Sequence, residues 1–160
     1  FLQEAGQPLK LEFEAGKYGP YARNLRFELL RMEGHYLTGF GDGVESPDKQ
    51  LELLPNAVDA AYDFLSQRDD VNKRFDRVAH LIDGFEDSYG MELLGTVHWV
   101  MAHNPKAREY PEVAIREVQQ WSPRKQRLMK AGHLEKAWAR LAKGDWNMNS
   151  ASIDRLSVVD

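Results

Sequence analysis

From residue 56 to residue 144 the apolar residues recur almost entirely with a helical period, so most of this chain must bury its surface by packing helix on helix. Ala57, Ala61, Phe64 and Leu65 share one face of a helix over about 56 to 67, with Asn56 suited to its N-cap. Val71, Phe75, Val78 and Ile82 mark a second helix, which Gly84 closes. Asp87 or Ser88 can cap a third, which carries Leu93, Leu94, Val97, Val100 and Met101 and stops at Asn104-Pro105. Ile115 and Val118 lead to Trp121. Ser122-Pro123 then starts another helix, because serine accepts from free amides and proline has the φ of a first turn. Leu134, Ala137, Trp138 and Leu141 form the last stripe, ended by Gly144.

The N-terminal third reads differently. Leu9, Leu11 and Phe13 alternate with Lys10, Glu12 and Glu14, the pattern of a strand with one buried face, and Gly16 ends it. After Tyr18-Gly19-Pro20-Tyr21, the residues Ala22, Leu25, Leu29 and Met32 predict a helix over 20–33, with Pro20 in its first turn and Gly34 as its stop. Residues 35–40 can form a second short strand, and 41–48 a turn-rich loop. The expectation is a single α+β domain over 1–160, mostly helical, with about six helices and a small N-terminal hairpin or sheet element.

At 160 residues and 42% hydrophobic content the chain can bury one sizeable core. It has no cysteine, which excludes disulfides, thiolate metal sites and cysteine nucleophiles and agrees with a cytoplasmic setting. No apolar run reaches the roughly 20 residues that span a bilayer, so no membrane association is expected. The chain begins at Phe1 within an apolar phrase, as a piece of a larger protein would. Charge is unevenly divided: residues 59–92 hold nine acids and four bases, residues 105–143 ten bases and four acids. Either region could steer a charged partner.

Catalytic constellations are missing from the pattern. The histidines, His35, His80, His98, His103 and His133, make no HExxH spacing; His98 and His103 fall about 140° apart on a helix and cannot share a metal. No GxSxG, GxxxxGK or strand-GxGxxG-helix unit occurs, and the GFGDG of residues 39–43 reads as a turn rather than a phosphate cradle. Asp59 with Asp63, and Asp69 with Asp70, have no neighbour that would raise a carboxyl into the catalytic range. Acids nevertheless recur through two consecutive helices and the next loop, and such a field can stand in for nucleic-acid phosphates before a basic groove. The basic stretch 121–141, with Arg124, Lys125, Arg127 and Lys130, could instead be a DNA-binding helix-turn-helix-like module. Trp121, Trp138 and Trp146 read as core anchors.

The phrases FLQEAG, KLEF, KYGPYARNL, LLRMEGHYLTGFGDG and LELLP, followed by WSPRK and HLEKAWARLAKGDW, together resemble the C-terminal domain of the DarG antitoxins of bacterial DarT-DarG toxin-antitoxin systems. The resemblance covers essentially the whole chain. It implies a domain that follows a covalently linked macrodomain, binds a DarT-type toxin and blocks its single-stranded DNA site. DarT toxins ADP-ribosylate thymidine in that DNA with NAD, and the macrodomain removes the modification. On this reading the chain has no catalytic residue, cofactor or metal, and no direct nucleic-acid binding is expected of it. The leading partner-binding candidates are Asp59, Asp63, Asp69, Asp70, Asp76, Asp83, Glu86 and Asp87, as acidic mimics. Tyr18, Tyr21, His35, Tyr36, Phe40 and Asp42 rank second.

Overall fold

The structure is a computed structural model and describes residues 1–41, 50–144 and 146. In chain order its elements are β1 (Phe13–Gly16), β2 (Gly19–Ala22), α1 (Leu25–Met32), β3 (Leu37–Thr38), β4 (Glu52–Leu53), α2 (Pro55–Leu65), α3 (Asp69–Ile82), α4 (Ser88–His103), α5 (Pro105–Glu109), α6 (Pro111–Trp121), α7 (Pro123–Leu128) and α8 (Ala131–Lys143). The strands form two separate two-stranded sheets, β1 with β2 and β3 with β4. The fold is thus α+β and mostly helical, as the sequence pattern implies. Two of the eight described helices, α5 and α7, are single short turns introduced by Asn104-Pro105 and Ser122-Pro123. There proline cannot continue the preceding helix and the polar residue before it caps the next.

The chain divides into two compact units: Phe1–Glu14 with Tyr21–Arg77, and Ala15–Pro20 with Val78–Asp160.

In the first unit the expected strand at residues 9–13 is displaced to β1. Lys10 takes a left-handed φ of 56°, which breaks an extended run. The backbone it interrupts is held by side-chain amides that imitate a neighbouring strand. Gln3 donates to the Leu11 carbonyl and accepts from its N–H at 3.0 and 2.7 Å, and Asn24 does the same for Lys10 and Glu12 at 2.8 and 3.2 Å. The helix expected over 20–33 begins only at Leu25, because Pro20 sits in β2, where a fixed φ also suits a strand end. Nor is Asn56 an N-cap. Leu54 takes that position with Pro55 in the first turn, and Asn56 reaches across to the His35 carbonyl at 3.3 Å. β3 and β4 pair antiparallel, Leu37 opposite Leu53 and Thr38 opposite Glu52.

The second unit is built around α4, which is apolar on nearly every side and buries Leu93, Leu94, Val97, Val100, Met101 and Ala102. It packs against α8, α6 and α5, which contribute Leu134, Ala137, Leu141, Ala114, Val118 and Ala107. Helix ends are closed by side chains. Arg108 donates to the Met101 and Ala102 carbonyls at the end of α4, and Arg140 to the His80, Leu81 and Asp83 carbonyls. Of the tryptophans, Trp146 is buried, while Trp121 and Trp138 are half-buried and give their N–H groups to the Gly16 and Ala107 carbonyls at 3.1 and 2.8 Å. At the start of α4, Asp87 Oδ1 accepts from the Gly90 N–H at 2.6 Å. Asp87→Ala is expected to cost about 1 kcal/mol, read as a fall of about 2–4 °C in Tm; an unchanged midpoint would mean the cap contributes nothing.

Candidate partner-binding surface

The acidic candidates do not form one field within either unit. Asp59 and Asp63 lie on α2, and Asp69, Asp70 and Asp76 on α3, all in the first unit; Asp83, Glu86 and Asp87 belong to the second. All eight are exposed. Asp70 is partly neutralised by Arg74 one turn on, at 3.1 Å, and Asp87 is committed to its cap. Asp59 and Asp63 are the two that share a helix with no basic residue at all.

The second-ranked residues separate further. Phe40 is only 8% exposed and belongs to the interior, its N–H bound by Glu33 at 3.0 Å. Tyr21, His35 and Tyr36 are exposed in the first unit. Asp42 lies outside the described residues.

Tyr18 is exposed, but it is part of a clasp within the second unit. Its ring lies under the guanidinium of Arg124, 4.8 Å from the centroid, with the Lys17 ammonium at 5.2 Å. Next to it Gly19 takes φ 122°, which disfavours a side chain, and a Cβ there would crowd Thr96 Oγ1 at 3.2 Å. Pro20 closes on Gly95, where a Cβ would lie 3.7 Å from its Cδ. Residues 17–20 are thereby seated on α4 and α7, an arrangement that explains the Gly-Pro chemistry without a ligand.

Under the clasp lies a buried ion cluster. Lys125 is fully buried, its Nζ donating to Glu92 Oε1 at 2.8 Å and to Thr96 Oγ1 at 3.0 Å. Arg124 binds both oxygens of the same carboxylate, at 2.5 and 3.0 Å. Burial pushes the Glu92 carboxyl up, but hydrogen bonds from Arg124 and Lys125 outweigh it and hold its pKa below the ordinary value. Burial likewise lowers the Lys125 ammonium. Two of the four bases that suggest a DNA-binding module in residues 121–141 are therefore consumed inside the protein: Lys125 cannot reach a phosphate, and Arg124 holds Glu92 and Tyr18.

Two of the histidines are engaged by neighbouring side chains. His103 stacks on Trp99 at 3.9 Å and donates from Nδ1 to its carbonyl at 2.8 Å, and His133 Nδ1 hydrogen-bonds the Tyr89 hydroxyl at 2.9 Å. Burial lowers the His98 pKa to about 4. Among the described residues no three His, Asp or Glu gather as a metal site requires, and no helix is long and apolar enough to cross a membrane.

What the sequence pattern does not reveal is how much apolar surface the first unit leaves in solvent. α1 buries no residue and α2 only Ala57. Phe27 is 61%, Leu53 67%, Tyr62 71% and Phe64 57% exposed. Among the described residues the exposed large apolar side chains of the second unit are Tyr18, Met91, Tyr110 and Leu128, none of them above 50%. Phe64 shares the azimuth of the buried Ala57, as its spacing implies, yet its ring meets the Arg68 guanidinium at 4.0 Å instead of a core. Periodicity finds an apolar stripe; it does not say whether the covering partner belongs to the same chain.

No protein-family model matches the chain. It is, however, 43% identical over 143 residues, 89% of its length, to a DNA ADP-ribosyl glycohydrolase of Thermus aquaticus. Over 133 residues, 80% of its length, it is 38% identical to a protein of the same name in Mycobacterium tuberculosis. The chain is homologous to a part of these glycohydrolases. It spans only 38% and 37% of their lengths, so the hydrolase name describes proteins with much additional chain. The homology to bacterial DNA ADP-ribosyl glycohydrolases agrees with the DarG resemblance of the sequence phrases.

Proposed function

We propose that the chain is the toxin-binding domain of a DarG-type antitoxin, a single non-catalytic module that needs no cofactor and acts in the bacterial cytoplasm. It binds a DarT-type DNA ADP-ribosyltransferase and blocks the single-stranded DNA site of that toxin, while hydrolysis resides in the macrodomain of the parent protein. The observation that carries this reading is partial coverage: homology extends along most of this chain but over little more than a third of proteins named as DNA ADP-ribosyl glycohydrolases. The exposed apolar side chains of the first unit support it, since an antitoxin domain must offer a surface that a toxin covers. Exposed acids at Asp59, Asp63, Asp69 and Asp76 are suited to imitate phosphates before a cationic groove.

The test is to add the chain in excess to the cognate toxin with NAD and a thymidine-containing single strand. Modification of the DNA is expected to stop, and the chain alone is expected to shift neither single- nor double-stranded DNA in a gel. Undiminished modification would overturn the proposal. A shift of DNA by the chain alone would favour a module using residues 121–141.

A further inference from the structure

We propose that the solvent face of α2, formed by Val58, Asp59, Tyr62 and Asp63, is the primary seat of the toxin protein, with Tyr62 as its apolar anchor. This rests on the toxin-binding reading above and assigns it to one helix.

The argument begins with what α2 lacks. An isolated helix of 11 residues is marginal in water, and this one buries only Ala57. On its opposite side Val58 and Tyr62 are about 40° apart, 42% and 71% exposed. Asp59 and Asp63 follow at about 60° and 100° from Tyr62, both exposed. A tyrosine left this open is the side chain most economically ordered at an interface, with large area and few rotatable bonds.

Charge selects the occupant. Residues 50–67 contain Glu52, Asp59 and Asp63 and no lysine or arginine. A second copy placed on this face would set carboxylates against carboxylates, which is repulsive. A complementary surface must offer an apolar seat between cations. A protein that holds single-stranded nucleic acid has that composition, because it stacks bases on flat apolar groups and neutralises phosphates with lysine and arginine.

The experiment titrates the 160-residue chain against the cognate toxin by calorimetry at low and high salt. Tyr62→Ala is expected to weaken binding by about tenfold or more, and Tyr62→Phe to retain most of it. Asp59→Asn with Asp63→Asn is expected to slow association and flatten the salt dependence. Because these side chains are exposed, thermal midpoints should match wild type, and a matched midpoint is required of each variant used. If wild type binds the toxin and Tyr62→Ala binds equally well, the α2 assignment fails while the antitoxin reading stands. If wild type does not bind the toxin at all, the antitoxin reading itself fails. If sedimentation shows the chain self-associating and Tyr62→Ala abolishes that alone, the face belongs to a second copy and the inference is overturned.

Discussion

Replacing Glu92 by alanine is expected to destabilise the second unit by about 3–5 kcal/mol, a fall in Tm on the order of 10 °C. The cause is what it leaves behind: Lys125, with no exposed side-chain surface, would lose its counter-charge and keep the Thr96 hydroxyl and the face of the Trp121 ring. Lys125→Met should cost less, because Glu92 retains Arg124. The double change Glu92→Leu with Lys125→Met should recover much of the loss, since a well-packed apolar pair does not incur the desolvation cost of the ions. Equal losses in the single and double variants would show that the ion pair adds nothing specific.

The same cluster sets an acid limit. The folded pKa of Glu92 lies below the ordinary value of 4.5, so between the two values the unfolded chain takes up a proton that the folded chain does not. The stabilisation is therefore fully present above about pH 4.5 and is lost as pH falls through the folded pKa. Denaturant melts of wild type and Glu92→Gln should converge as the medium is acidified through that window. Curves that stay parallel would place the proton-linked stability elsewhere.

The second large effect is expected at Gly19. Alanine there must adopt φ 122° and press its Cβ on Thr96 Oγ1, costing about 1–3 kcal/mol in backbone strain alone. Thr96 is also the hydroxyl that accepts from Lys125. Gly19→Ala and Lys125→Met should therefore be non-additive, with a coupling of about 0.5–3 kcal/mol. Gly132 supplies the contrast: in α8, with nothing within 4 Å of an added Cβ, its alanine variant should gain about 0.4–1 kcal/mol. A Gly19→Ala variant as stable as wild type would remove the clasp from the account of this fold.

Much of the second unit was legible in the sequence because its signals are local. Asp87 caps where a short polar side chain precedes an apolar helix, Ser122 caps where one precedes a first-turn proline, Asn104-Pro105 breaks where proline removes a donor, and the stripe of α4 faces its own core. In the N-terminal third the elements were legible but their boundaries were not, because what sets those boundaries is distant in sequence. Nothing near Lys10 announces that Gln3 and Asn24 will hold the backbone around it, and Pro20 suits a helix start as well as it suits β2. Of the candidate site, the acids were visible as charge, but their distribution over two units was not. Tyr62 lies off the apolar stripe of α2, and only its exposure makes it conspicuous. The basic stretch looked available because a formal charge count cannot tell a solvated lysine from Lys125.

The six residues from Ala15 to Pro20 have a practical consequence for taking the chain apart. They belong to the second unit, yet the chain leaves the first unit to reach them and returns to it afterwards. No single scissile bond can liberate both units whole. A cut between Arg77 and Val78 would deprive Trp121 of its Gly16 carbonyl and Arg124 of the Tyr18 ring. The C-terminal product of such a nick should therefore recover its native melting behaviour only when a peptide carrying Ala15–Pro20 is supplied in trans.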